Sequence, residues 1–314
     1  MPYAYDHILV IGFGGPTKPE EVKPFLEEVT RGLNIPEPRL KEVLHHYEVI
    51  GGASPYNQYT FRLFYKLQDA LGENGVSLPL FIGMRNWHPF LKDAMREIQK
   101  RGLKRGIGVI LAPHRSEASF DKYLRNVEEA KKAVEAHEIT YEYLRPWHDH
   151  PFLIQAQAEE VRKVLEPLGP EEGREAHLLF SAHSIPLEMA KKCRYAEEVE
   201  ISSSLVAREL NRSQWSVAWQ SRSGSPREPW LGPDVCSVIR ELKEKGKRVV
   251  ALVPIGFLCD NAEVLYDLDV EARREAEKIG IKYLRASTVT DHPKFVAMFT
   301  ELIKECDEAL SSSH

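Results

Sequence analysis

The chain has 314 residues, with 42 Lys and Arg against 47 Asp and Glu and a formal net charge of −5. That length is more than one compact core needs and suits two α/β lobes. The negative balance and the lack of a basic stripe exclude a nucleic-acid partner, whose phosphates demand one.

Apolar runs of strand length alternate with helical patterns throughout. The first predicted strand, residues 7–13, runs into Gly12-Phe13-Gly14-Gly15-Pro16. That spacing is not GxGxxG, no Gly-Lys-Ser follows, and Pro16 lacks an amide donor, so the turn reads as one that lets another group approach the backbone. A helical pattern follows over 20–31, then strands over 78–84, 106–111 and 139–143, with a helix over 121–135. Trp147-His148-Asp149-His150 breaks the pattern and marks a seam between an N-terminal lobe, residues 1–147, and a C-terminal lobe, residues 148–314. The paired histidines resemble a metal clip but have no further ligand at a sensible spacing. The second half repeats the rhythm, with strands over 177–181, 216–220, 248–254 and 282–285. Helices are expected over 151–165 and 262–278, and a last one over 293–310 fits on either lobe. The alternation predicts an α/β fold of two Rossmann-like lobes, each a parallel four-stranded sheet with helices on both faces.

No apolar stretch approaches the roughly 20 residues of a membrane span. Residues 1–7 are short and polar, unlike a signal peptide, so the expected location is the cytoplasm. Cys193, Cys236, Cys259 and Cys306 form no CxxC pair and read as free thiols.

Ligands of open parallel sheets bind beyond the carboxyl ends of the strands. The fifth strand ends in Ser181-Ala182-His183-Ser184-Ile185-Pro186. A histidine there serves as metal ligand or base near neutral pH, or equally as a hydrogen-bonded turn residue. Beyond the seventh strand, Glu263, Asp267 and Glu271 recur every four residues and form one acidic row on a helix, beside an apolar row of Val264 and Leu268. Such oxygens suit a divalent cation, Fe²⁺ included. Against that, Asp260 and Glu263 fit a capping box, and the other acids fit a solvated face. The loop from Gln220 to Pro233 carries Arg222, Arg227 and Trp230 and suits a cleft wall or a brace between lobes.

Taken in order, Gly51-Gly52-Ala53-Ser54-Pro55, Gly83-Met84-Arg85, Ala112-Pro113-His114, Ser181 through Pro186, Gln220-Ser221 with Trp230-Leu231-Gly232-Pro233, and Glu263-Val264-Leu265-Tyr266-Asp267 resemble the ferrochelatase family. The resemblance runs from about residue 8 to about residue 306. It implies a porphyrin metal chelatase, a lyase of haem biosynthesis, with porphyrin and ferrous iron as partners and a haem-accepting protein downstream. It carries catalytic and metal-binding roles to His183 and Glu263, further metal-binding roles to Asp267 and Glu271, and porphyrin contact to Phe13, Ser54 and Arg85. No cofactor is implied, because Fe²⁺ is a substrate that enters and stays ferrous. Arg85, Arg115 and Arg222 are expected anchors for porphyrin carboxylates. Two departures stand out: Phe13 replaces a tyrosine, and Asn261 replaces a histidine, found in many relatives. Tyr47 through Gly52 and Glu263 through Asp267 look like the coproporphyrin-using branch, while the missing tyrosine points to protoporphyrin. Two alternatives are a chelatase for another divalent metal and a non-enzymatic haem carrier. A carrier needs only an axial ligand and gives no reason for Glu263 beside His183.

Overall fold

A computed structural model describes residues 4–32, 35–223 and 228–311. Residues 224–227 of the expected Gln220–Pro233 loop, and with them Arg227, lie outside the described residues, as do residues 1–3 and 312–314.

The first half runs β1 (His7–Gly12), α1 (Pro19–Val29), α2 (Glu37–Val49), α3 (Tyr56–Glu73), β2 (Leu80–Met84), α4 (Leu91–Lys100), β3 (Arg105–Ile110), α5 (Phe120–Ala133) and β4 (Thr140–Tyr143). The second runs α6 (Pro151–Leu165), α7 (Pro170–Glu175), β5 (His177–His183), α8 (Leu187–Ala190), α9 (Tyr195–Glu209), β6 (Trp215–Gln220), α10 (Val235–Glu244), β7 (Val249–Val253), a π-helix (Val264–Ala272), α11 (Arg273–Ile279), β8 (Lys282–Arg285) and α12 (Pro293–Ser311).

The strands form two parallel sheets, ordered β2-β1-β3-β4 and β6-β5-β7-β8. Every residue of β1 and of β7 is buried. Such unbroken apolar runs belong to strands covered on both faces. In the first lobe, α3 and α12 close one face of the sheet, and α4 with α5 close the other. In the second, α6 and α9 cover one face, and α10, the π-helix and α11 cover the other. Several helices open on proline, whose missing N–H is no loss at a first turn: Pro19, Pro151, Pro170 and Pro293. Phe295, Phe299, Leu302 and Ile303 of α12 join Ile8, Val10 and Ile107 in the core of the first lobe. The last helix, whose position the sequence leaves open, therefore crosses the seam and packs there. No helix among the described residues is long and apolar enough to cross a membrane.

One expectation is corrected. The stretch 262–278 is not one α-helix: its first part is wound as a π-helix, and only Arg273–Ile279 is α-helical. The π form is rare and tends to mark functional sites.

Candidate active site

His183 is the last residue of β5. Its Nδ1 hydrogen-bonds the carbonyl oxygen of Ser184. A carbonyl only accepts, so Nδ1 carries the hydrogen and Nε2 is the nitrogen left to act. Nε2 lies 3.4 Å from Oε1 of Glu263. The buried Tyr195 hydroxyl donates to the backbone carbonyl of His183 at 2.9 Å, fixing the strand end from behind. At Gly256 the chain leaving β7 passes so close that a methyl group would sit 2.6 Å from Cβ of Ala182. Only glycine permits that approach, which brings the β7 exit beside the strand end bearing His183.

Glu263 immediately precedes the π-helix and makes no capping hydrogen bond. Asn261 is the cap: its Oδ1 accepts from the Val264 N–H at 2.9 Å. Asp260, the cap expected from the sequence, is instead gripped by Arg285 at 2.9 and 3.1 Å. The same guanidinium holds Asp269 at 2.9 and 2.8 Å. The capping-box reading of Asp260 and Glu263 is thereby overturned, and the Glu263 carboxylate is free to meet His183.

The electrostatics follow from this placement. Burial alone would depress the His183 pKa, but the Glu263 charge and hydrogen bond, the Ser184 carbonyl and Asp267 outweigh it and push it up to about 9. Burial likewise opposes ionisation of Glu263, yet the facing imidazolium holds its carboxyl below the usual range. Both side chains open to the cleft, 33% and 48% exposed, so solvent screens the pair. Asp267 is pushed the other way, to about 7, by burial and by its neighbours Glu263 and Glu271, against a hydrogen bond from the Ser221 hydroxyl. Ser221 adopts a φ of 58°, uncommon for serine, where its hydroxyl meets Asp267. Glu271 is raised by burial and by Glu42 of α2, with Arg39 and Arg274 opposing. The acidic row thus leads from the histidine towards the α2 side of the cleft, where His46 of α2 stacks on Tyr266 of the π-helix at 3.6 Å.

The first lobe supplies the other wall. Phe13 and Ala262, the residue before Glu263, both pack on the cluster Val22, Phe25, Leu26 and Tyr47. The Arg85 guanidinium lies 5.5 Å from the Phe13 ring centre and 5.6 Å from that of Tyr123, a cation–π arrangement with each. Gly14 has a φ of 86°, and a methyl there would meet the backbone nitrogen of Trp87 at 2.9 Å, so the glycine turn does admit a close backbone approach. Ser54 stands beside the same glycine turn. It is 6% exposed, its hydroxyl accepts from the Tyr56 N–H at 3.3 Å, and its own N–H binds the Pro16 carbonyl at 2.8 Å. Those bonds lock the turn. Arg115 is paired with Asp121 at 2.8 Å, and Arg222 binds the Glu228 carbonyl at 3.0 Å. Of the seam residues, His150 caps α6 by accepting from the Phe152 N–H at 3.3 Å. Among the described residues, no three His, Cys, Asp or Glu side chains converge tightly enough to hold a metal ion.

Sequence reasoning passed over Tyr195 and Arg285, and it named Asn261 and Ser221 without the roles they take here. Asn261 carried a legible signal, a good cap three residues before an apolar position. The other three act across separations of 12 residues or more, and nothing local marked their partners.

A family model described as Ferrochelatase matches residues 5–306. The chain belongs to the ferrochelatase family. It is 38% identical over 302 residues to a ferrochelatase of Rhodopirellula baltica, covering 96% of this chain and 86% of that protein. It is 38% identical over 307 residues to the coproporphyrin III ferrochelatase of Mycobacteroides abscessus, covering 97% and 89%. Among solved structures, SirB from Bacillus subtilis with Fe³⁺ aligns over 98% of this chain and 97% of its own, with a TM-score of 0.60 at 13% identity. That likeness shows a shared fold.

Proposed function

We propose that this chain inserts ferrous iron into a porphyrin, with coproporphyrin III as the substrate and coprohaem as the product. The observation that carries the proposal is the His183 Nε2–Glu263 carboxylate pair, 3.4 Å apart, at the start of the acidic row. Relatives named coproporphyrin III ferrochelatase support the choice of porphyrin.

The reaction removes two pyrrole protons and binds one Fe²⁺, with no change in oxidation state. A planar ring keeps its nitrogen lone pairs in plane, so holding the ring bent, with strain drawn from binding elsewhere on the molecule, exposes them. Phe13 and Arg85 hold the macrocycle from the first lobe. His183 and Glu263 receive the protons. At rest they share one proton, because the histidine is raised to about 9 and the glutamate is lowered. A role as base or iron ligand requires a neutral His183, so the pair must lose its proton to solvent before His183 accepts one from a pyrrole. A cation arriving at Asp267 and Glu263 opposes the imidazolium charge and drives that loss. Glu271 and Asp267 pass the metal inward, and Asp267, raised to about 7, gives up a proton where the cation arrives.

The test is anaerobic metallation of coproporphyrin III and protoporphyrin IX by the wild type and by His183→Ala. The expected results are a preference for coproporphyrin III and a loss of at least a hundredfold in the variant. Near-normal turnover by the variant would sink the assignment. The same reading places the reaction in the cytoplasm, with release to a haem-accepting protein; fractionation of a tagged full-length chain checks the location.

A further inference from the structure

We infer that Lys122 and Arg125, in the first turns of α5, anchor carboxylates on the porphyrin rim and so favour a substrate that carries several of them. The inference rests on the porphyrin reading above. It names residues that neither the sequence motifs nor the catalytic pair require.

Lys122 and Arg125 are three residues apart on one helix and share a face. Helix α5 follows β3, and Arg85 follows β2, so both arise beyond the carboxyl end of the sheet on which β1 presents Phe13. Arg85 lies over the rings of Phe13 and Tyr123, and Lys122 and Arg125 stand near enough that the three charges act on one another. Their hydrogen-bond partners among the described residues are backbone carbonyls: Arg85 reaches Ala118 at 3.5 Å and Arg125 reaches Glu117 at 3.3 Å. Neighbouring Arg115 behaves differently, since Asp121 takes its guanidinium through Nε at 3.0 Å and Nη2 at 2.8 Å. Glu129, whose charge acts on both Lys122 and Arg85, accepts from the Asn126 amide at 2.8 Å and closes no ion pair with Lys122 or Arg125 among the described residues.

Burial and mutual repulsion follow from that crowding. Burial, then Arg85 and Arg125, hold the Lys122 ammonium below its ordinary range, with Glu129 opposing. Burial holds Arg85 down as well, with Arg125 adding and Tyr123 and Glu129 opposing. Three like charges beside an aromatic face repel one another in the free protein, and carboxylates placed among them relieve the repulsion. A macrocycle lying against Phe13 brings carboxylates to this rim, and the more it carries, the more of the trio it satisfies. The structure thus moves the anchoring role from Arg115, held by the Asp121 carboxylate, to Lys122 and Arg125.

The test compares the wild type with Lys122→Gln/Arg125→Gln, with circular dichroism confirming the fold. KM is measured for coproporphyrin III, with four carboxylates, and protoporphyrin IX, with two. The expected result is a KM for coproporphyrin III raised roughly tenfold, a smaller rise for protoporphyrin IX, and recovery in Lys122→Arg/Arg125→Lys. The wild-type KM for coproporphyrin III should also rise with salt more steeply than that of the double variant. A KM ratio between the two porphyrins that stays within twofold of wild type overturns the inference. Should the wild type metallate neither porphyrin, the failure lies with the chelatase reading. The anchors are then judged by quenching of coproporphyrin fluorescence on binding: weaker binding by the double variant supports them, and equal binding overturns them.

Discussion

Replacing Glu263 with glutamine keeps the shape of the site and removes the charge that faces His183. At 3.4 Å two unit charges interact by about 1 kcal/mol in the dielectric of water and about 5 kcal/mol at an effective dielectric near 20. At 1.36 kcal/mol per pH unit, that range corresponds to a pKa change of about 1 to 3.5. The imidazole is 33% exposed and the carboxylate 48%, so screening favours the lower half of that range. The Ser184 carbonyl and Asp267 still raise the histidine, and burial still lowers it. In Glu263→Gln, His183 should therefore titrate at about 7 to 8 rather than about 9. Ring-proton chemical shifts followed by NMR across pH 5–10, assigned against His183→Asn, read this directly. The rising limb of iron insertion with pH should shift the same way while its maximum falls. Stability follows with a definite sign. His183 is raised above 6.5, so its stabilisation is complete below that value and lost as pH rises through about 9. Glu263 is lowered below 4.5, so its share is present above that value and lost as pH falls through the lowered one. The cost of the substitution, about 1 kcal/mol, should be largest between these limits. A histidine still titrating near 9 in the variant would refute the pairing as the cause.

Three further outcomes are expected. Asp267 is raised from 3.8 to about 7, so its ionisation costs the folded state progressively across that interval and fully above it. Asp267→Asn should raise Tm at pH 8, by a free-energy equivalent of about 1 kcal/mol after screening, and leave it nearly unchanged at pH 4 while iron insertion drops; a lower Tm at pH 8 contradicts this. Arg285→Met leaves the Asp260 and Asp269 side chains, 14% and 24% exposed, without their shared cation, and should cost about 3 kcal/mol in denaturant unfolding. Lysine at 285 should restore only part of that, because an ammonium cannot grip two carboxylates at once, and a full recovery would argue against the fork. Asn261→Ala removes the cap at Val264 and should cost about 1 kcal/mol by the same assay, whereas a cost near zero would return the capping role to another group.

What was legible in the sequence, and what was not, follows from how local each interaction is. The strands were readable because burial on both faces leaves unbroken apolar runs, as in Val249–Val253. The glycine turn after β1 was readable because its geometry is set within a few residues. The bond from the Ser54 N–H was not readable because its partner, Pro16, lies 38 positions earlier. Glu263 was ambiguous for a related reason. Asp260 and Glu263 have the spacing of a capping box, and the competitor that claims Asp260 is Arg285, 25 residues further on. Once that guanidinium holds Asp260, Asn261 supplies the cap, and the glutamate faces the histidine.

The π-helix extends the same argument. Its residues Val264 through Ala272 carry no local mark of the wider turn, since both α and π windings bring residues four apart to one side, and the acidic row reads the same in either. The difference is imposed from β8. Arg285 holds Asp260 before the segment and Asp269 inside it, and the Tyr283 hydroxyl donates to the Leu268 carbonyl at 2.8 Å. Leu268 and Val264 are fully buried against the same sheet face, so the inner side of the winding cannot shift to escape these bonds. A carbonyl engaged by a side chain is drawn away from its partner in an ordinary helical ladder, and two tethers from one strand spread the turn between them. The spacing of Glu263, Asp267 and Glu271 along the cleft is therefore a property of strand β8 as much as of their own helix. Loosening β8 should disturb the acidic row before it disturbs the sheet.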